Sequence, residues 1–293
     1  MTTGPTIALG CAVTWALALI LWRKVGAGVP ARALNFFKNG FSLILLIPTL
    51  LMIEGFSWPS ISSSDLAIIL LSGAGGIGIA DGLYLWALEL IGPSRLAIID
   101  CLYTPTVVLF SWLVLGEELT PFRILGGLLV LLAALAVSVE KSTQAAHKSQ
   151  IVKGGIICAI AIMIMSLGIV GLKPVFSRVP LFWIVTLRLA VGTLVSLLGI
   201  LISPQRVNIF RKLVSASGRS YLVLASFCGT YLSMVLWVSG FKYNDASVAA
   251  VLTQTSTVLT VILAALFLDE RLDVRKLFAV GTSMLGVLIL SMD

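Results

Sequence analysis

Two stretches of this chain read alike. The first runs Leu85-Trp86, Pro93-Ser94-Arg95, then an apolar span interrupted by Asp100, Tyr103 and Pro105, and closes on Leu115-Gly116-Glu117-Glu118-Leu119-Thr120. The second runs Leu236-Trp237, Asn244-Asp245-Ala246, then an apolar span interrupted by Thr253-Gln254-Thr255-Ser256-Thr257, and closes on Leu268-Asp269-Glu270-Arg271-Leu272-Asp273. The offset is 151 at the tryptophan (237 − 86) and 153 at the acidic end (270 − 117). Upstream, Lys24, Pro30 and Lys38 match Lys173, Pro180 and Arg188 at offsets of 149 to 150. A repeat this long is neither a solenoid unit nor a heptad but half of the chain.

The setting of the repeat follows from composition. The 293 residues are 59% apolar and 11% charged, with a mean hydropathy of +1.08; an average soluble domain is about 25% charged. One soluble core cannot hide that much apolar surface, so the chain reads as an integral membrane protein. Crossing the hydrocarbon takes about 20 apolar residues per helix, and only helices or closed barrels satisfy every backbone group in lipid. The runs here are unbroken rather than alternating, which excludes barrel strands. The net charge of +7 reports basic loops at a membrane surface rather than nucleic acid. The four cysteines lie far apart within apolar spans, and their spacing marks neither a disulfide framework nor a metal site. Arg23, the first basic residue, follows the first span, so that span lacks a signal peptide's basic start and is expected to be retained.

Ten spans are expected, at about 5–22, 33–53, 66–89, 95–115, 121–139, 154–172, 181–202, 220–241, 246–268 and 274–291. The fold class is therefore an all-α membrane protein of two five-helix halves, 1–140 and 154–293, joined by a polar linker at 141–153. Five is odd, so the second half enters the membrane in the opposite sense: an inverted-topology repeat, whose halves can exchange roles and open the centre to either side. Four basic residues (Arg123, Lys173, Arg178, Lys242) fall on the side of the termini and fourteen on the other. The positive-inside rule then places both termini outside.

Ionisable groups within spans are costly and face a bundle interior or a wet cavity. Lys38, Asp81, Glu89, Asp100 and Arg188 qualify, Glu89 close to a span end. Asp100 lies one turn before Tyr103 and Thr104 on one helical face. Lys38 and Arg188, each eight residues after a proline, suit a structural salt bridge, a helix-end anchor or a substrate contact. Gly75, Gly78 and Gly82 make a small-residue face for close packing and a place for a helix to bend; their segment lacks the Lys-Ser/Thr ending of a phosphate loop. Pro105 removes a mid-span donor and kinks its helix. Gln254 is the repeat partner of Tyr103. Trp22, Trp58 and Trp183 read as an interfacial belt, and the repeated Trp86 and Trp237 as packing. Trp15, Tyr84, Tyr103 and Tyr231 are mid-span, where a buried phenol needs a partner or a wet cavity. His147 is the one histidine and lies in the linker. No histidine-based acid–base pair, metal cluster, nucleotide loop or zinc-protease motif is present, so no cofactor or metal is expected.

This order of residues resembles the drug/metabolite transporter superfamily, in its EamA-type ten-helix members: Trp15 and Lys24, Pro30 and Lys38, their partners Lys173, Pro180 and Arg188, Pro105 leading into Leu115-Gly116-Glu117, and Leu268-Asp269-Glu270-Arg271. Lys38 stands where the family often has Arg, and the second half lacks the mid-span proline. Members are often drawn with cytoplasmic termini, opposite to the charge tally. The resemblance implies a small-solute transporter of a bacterial inner membrane, with a cavity built from the first four helices of each half. Within the family the chain is most like the amino-acid exporters, aromatic ones included. Asp81 and Asp100 would then attract an amino group or relay a proton, and Lys38 or Arg188 would hold a carboxylate. Trp15, Tyr84, Tyr103, Tyr231 and Gln254 would line the cavity, while Pro105, Gly78 and Gly82 would serve bending and packing. The expected partners are a small molecule and the bilayer, with no nucleic acid and a monomeric default. Multidrug cation efflux is the rival transporter reading; a lipid-modifying enzyme is the rival of another class, though no catalytic constellation is seen for it. For orientation, alkaline phosphatase fused after Asp293 is expected to be active in intact cells and a fluorescent protein fused there to stay dark. The reverse pattern would put the termini in the cytoplasm.

Overall fold

The computed structural model describes residues 3–25, 28–116, 118–138, 145–216, 218–243, 246–270 and 272–290. Among these the chain forms ten helical rods and a short surface helix. α1 is Thr3–Val25 and α2 is Ala31–Glu54. α3 joins Ser63–Ser72, a π-helical turn Gly73–Ala80 and Asp81–Ile91. α4 joins Pro93–Asp100, Tyr103–Phe110 and a terminal π turn, Ser111–Leu115. α5 is Pro121–Ser138, α6 Ala145–Leu172 and α7 Leu181–Leu201. α8 joins Arg219–Ser226, a π turn Phe227–Leu232 and Ser233–Tyr243; α9 is Ala246–Leu268 and α10 Val274–Leu290. Seven of these rods are long and apolar enough to cross a bilayer; Pro121–Ala133 and Leu252–Leu268 supply shorter apolar helices, and α10 has 17 residues.

The punctuation is local chemistry. Pro30 and Pro180, matched in the repeat, sit in extended conformation just before α2 and α7, and their carbonyls accept the first bonds of those helices. Gly92, at φ +76, turns the chain from α3 directly into α4, which opens on Pro93. α6 starts at Ala145, so the later part of the expected linker is helical. The surface helix Arg206–Val214, expected as loop, tucks Ile209 into the core and sets Phe210 against Phe36. Glu117, Asn244, Asp245, Arg271 and linker residues 141–144 lie outside the described residues.

Packing interleaves the halves. α1 lies against α8 and α9 of the second half, and α6 against α3 and α4 of the first. α3 packs on α7 as α8 packs on α2, while α2 faces α7 and α5 faces α10. Exchanging the halves maps this pattern onto itself, as a pseudo-two-fold relation requires. On the side of the termini, Arg178 donates to both carboxylate oxygens of Asp65, at 2.6 and 3.1 Å, tying the loop before α7 to the start of α3.

The third rod of each half carries a π turn in mid-course, ending just before Asp81 in one and Ser233 in the other. In α3 the turn lets glycines meet α7. A Cβ on Gly73 would stand 2.5 Å from the Arg188 carbonyl oxygen, one on Gly78 2.7 Å from Val195, and one on Gly192 2.5 Å from Ile77. The single face expected for Gly75, Gly78 and Gly82 does not form. Gly78 meets α7, whereas the nearest neighbours of Gly75 and Gly82 are Ile164 of α6 and Asn35 of α2. The wider π turn shifts the register on which an i, i+3, i+7 face depends.

A π turn also displaces backbone carbonyls from the regular ladder, and in lipid these need other donors. Asn35 Nδ2 donates to Ile77 O and Gly78 O, both at 3.1 Å, and to Ser196 Oγ at 2.9 Å. Ser42 Oγ donates to Ser226 O, next to the π turn of α8, at 3.2 Å. One helix, α2, thus serves both turns. Asn35→Ala, which strips donors from buried carbonyls, is expected to cost about 1–2 kcal/mol and to lower Tm by about 3–6 °C in detergent. Gly192→Ala is expected to lower Tm more than Gly199→Ala, because a Cβ at Gly199 meets nothing within 4 Å. Equal melting of these two glycine variants would contradict the close α3–α7 approach.

Candidate functional site

A cavity of about 150 Å³ lies at the centre of the bundle. Its wall is drawn from α1 to α4 and from α6 to α9, and among the described residues none of α5 or α10 lines it. Trp15, Lys38, Asp81, Asp100, Tyr103, Arg188 and Gln254 all line it. Tyr84 and Tyr231, expected there, stand elsewhere. Tyr84 is buried beside Trp15, at 5.9 Å between rings, within the apolar cluster below the cavity. Tyr231 bonds Thr49 at 2.8 Å and stacks on Phe227. A period of 3.6 carried through a π turn misjudges which way such side chains face.

Lys38 is fully engaged. Its Nζ meets Asp81 Oδ2 at 2.5 Å and Asn39 Oδ1 at 2.9 Å, and lies over the Trp22 ring at 5.9 Å. Asn39 donates to Asn35 Oδ1 at 3.2 Å, so the ion pair runs into the amide that caps the π turn of α3. The salt-bridge reading of Lys38 is the one realised. Arg188 differs: it is 5% exposed, and its Nε and Nη1 have no hydrogen-bond partner among the described residues. Asp100 is half-buried and makes no ion pair among the described residues.

Pro105 breaks α4 where expected. Without its N–H the helix tightens into i→i−3 bonds, from Cys101 N to Ile98 O and from Leu102 N to Ile99 O, before Tyr103–Phe110 resumes. The second half answers the break. Thr257 Oγ1 donates to Ala97 O at 3.2 Å, and Gln254 Nε2 approaches Asp100 O at 3.5 Å. Thr255 bonds back to its own helix at Leu252 O. α9 itself runs unbroken from Ala246 to Leu268.

Two aromatic expectations change. Trp22 is not interfacial: it is 3% exposed, edge-on to Trp15 at 5.6 Å. Trp237 lines the cavity, 6.5 Å from the Tyr103 ring, whereas its repeat partner Trp86 faces outward under Lys153. Trp58 and Trp183 do pair, at 4.8 Å, near the ends of their spans. Thr230 and Ser233, on the wall from α8, were not singled out from the sequence; their place just within and just after the second π turn was the available signal.

The cavity has a floor. On the side of the central linker one cluster joins both halves, with Leu19, Trp22, Leu88, Ile162 and Leu222 among its members. A Cβ on Gly229 would fall 2.4 Å from Ala18 Cβ, a measure of how tightly α1 and α8 meet there. Toward the termini the buried apolar side chains divide into separate clusters. The buried apolar packing is thus continuous across both halves on the linker side of the cavity and divided on the side of the termini.

The EamA-like transporter family model matches residues 2–139 and again residues 152–292. An uncharacterized transporter of Archaeoglobus fulgidus is 23% identical over 286 residues, covering 97% of this chain and 96% of that protein. A WAT1-related protein of Arabidopsis thaliana is 23% identical over 276 residues, covering 86% of this chain and 75% of the plant protein. A solved crystal structure shares the fold, with a TM-score of 0.69 at 20% identity, over 99% of this chain and 96% of its own. Together these matches point to a multi-pass membrane transporter of small molecules and not to an enzyme. On two matching segments spanning nearly all of the sequence, the chain belongs to the EamA-like transporter family.

Proposed function

We propose that this protein exports amino acids, aromatic ones among them, by alternating access across a bacterial inner membrane, working as a monomer. The observation that carries the reading is the cavity wall. It lies between inverted halves and presents a cation, Arg188, an acid, Asp100, and the rings of Trp15, Tyr103 and Trp237. A zwitterion with a flat apolar side chain matches that set: its ammonium suits Asp100, and its ring suits the aromatic wall. Both halves contribute rods to the wall, so no second chain is needed to build it. The packing that joins both halves on the linker side and divides toward the termini supports reading this as one access state, sealed on the linker side and open toward the termini. With the termini outside, as the charge tally has them, that state is the one from which an exporter releases cargo. Exchange of the two interleaved halves supplies the opposite state. Reconstituted protein is expected to give saturable uptake of radiolabelled phenylalanine and of further amino acids into liposomes. A response to an imposed pH gradient would mark proton coupling. Folded protein that moves no amino acid but moves cationic dyes would replace this reading with cation efflux.

A further inference from the structure

The two halves treat their intramembrane cation differently. In the first, Lys38 of α2 pairs with Asp81, the first residue after the π turn of α3. In the second, Arg188 of α7 takes the place of Lys38 at an offset of 150 (188 − 38). The first residue after the π turn of α8 is Ser233, at an offset of 152 from Asp81 (233 − 81). Serine brings no charge, and this one lies 3.4 Å from Cys11 Sγ. Arg188 therefore lacks a bonded carboxylate of its own; the acid whose charge reaches it, Asp81, is already bonded to Lys38. A guanidinium buried without a partner is costly, and in a membrane span such a group is retained for a ligand or a pathway. Two more polar groups on the same wall have no hydrogen-bond partner among the described residues: Thr230 Oγ1, on a residue 2% exposed, and the Tyr103 hydroxyl.

We propose that the cargo itself brings the missing acid: an oxyanion that pairs with Arg188 and accepts hydrogen bonds from Thr230 and Tyr103. This deepens the amino-acid reading and rests on it for the identity of the oxyanion, the α-carboxylate. The planar fork of arginine suits a two-oxygen anion. Gly76 leaves space beside it, since even a Cβ there would stand 3.7 Å from Nη2. Lys38 is not the anion site, because its ammonium is directed at Asp81, Asn39 and the Trp22 face. The oxyanion sits against the contact of α3 with α7, where the Arg188 carbonyl meets Gly73. Cargo without an acidic group leaves Arg188 bare and is rejected.

The test uses full-length protein in proteoliposomes with four probes: phenylalanine, alanine, phenylalaninamide and glycerol 3-phosphate. Wild-type protein is expected to take up the amino acids and to discriminate against the amide by at least about thirtyfold, the scale of a buried charge left unpaired. Arg188→Gln is expected to lose amino-acid uptake by a similar factor, with Arg188→Lys in between. The telling variant is Ser233→Asp, which gives Arg188 an internal carboxylate where the first half has Asp81. It is expected to stop transport while leaving Tm unchanged or raised. Amide and amino acid moving equally well through wild-type protein would overturn the proposal without any variant having to fold. So would full transport by folded Arg188→Gln. Uptake of glycerol 3-phosphate that requires Arg188, with no amino-acid uptake, would uphold the oxyanion site and remove the amino-acid reading. Transport of the amide alone, or of none of the four, would remove both.

Discussion

In hydrocarbon a backbone carbonyl has no water to fall back on, and that constraint organises this molecule. Its rods are not uniform: α3 and α8 each widen into a π turn, and α4 breaks before Pro105. Every irregularity frees carbonyls that only another side chain can satisfy. Asn35 and Ser42 of α2 serve the two π turns, and Thr257 and Gln254 of α9 serve the break in α4. All four donors reach across to another helix that lines the cavity, and Ser42, Thr257 and Gln254 reach across to the other half. Irregular backbone is tolerated because it lines a cavity and is answered from across the repeat.

The same interleaving explains why the halves are units of repetition rather than of packing. Each half places its first helix in the groove between the other's third and fourth. The floor that closes the cavity is built from both halves at once, which makes it a contact that a relative motion of the halves can open. Glycines set how closely the rods approach: Gly229 brings α8 onto Ala18 and Trp22 at the floor, while Gly73, Gly78 and Gly192 bring α3 onto α7 beside Arg188.

Symmetry makes its exceptions informative. Lys38 with Asp81 and Arg188 with Ser233 occupy matching places, yet among the described residues one cation is bonded to a carboxylate and the other is not. Trp86 and Trp237 also match, and one looks outward while the other faces the cavity. Pro105 has no counterpart, and α9 stays straight where α4 breaks. The two halves are thus alike in frame and different in chemistry where they line the cavity.

The sequence by itself determined the solvent, the helical class and the duplication. Unbroken apolar runs admit no other structure in lipid, and Pro30 with Pro180, Trp86 with Trp237 and Glu117 with Glu270 fix the repeat by their spacing. It also marked seven residues of the cavity wall, because an ionisable or amide group in mid-span has few places to be. Only the tertiary structure decided which of these are engaged. The pairing of Lys38 with Asp81 rather than with cargo depends on how α2 meets α3, and the solitude of Arg188 depends on what α8 presents to it. Trp22, in the regular helix α1, was misplaced because nearness to a span end does not say which way a ring faces. Tyr84, Tyr231 and the glycine face were misjudged because a regular helical period fails at a π turn, and no local signal in a glycine-rich run or in Phe227–Leu232 announces one. Such a turn is chosen by the fit of one helix against its neighbours, a property of the assembled bundle rather than of any stretch of chain.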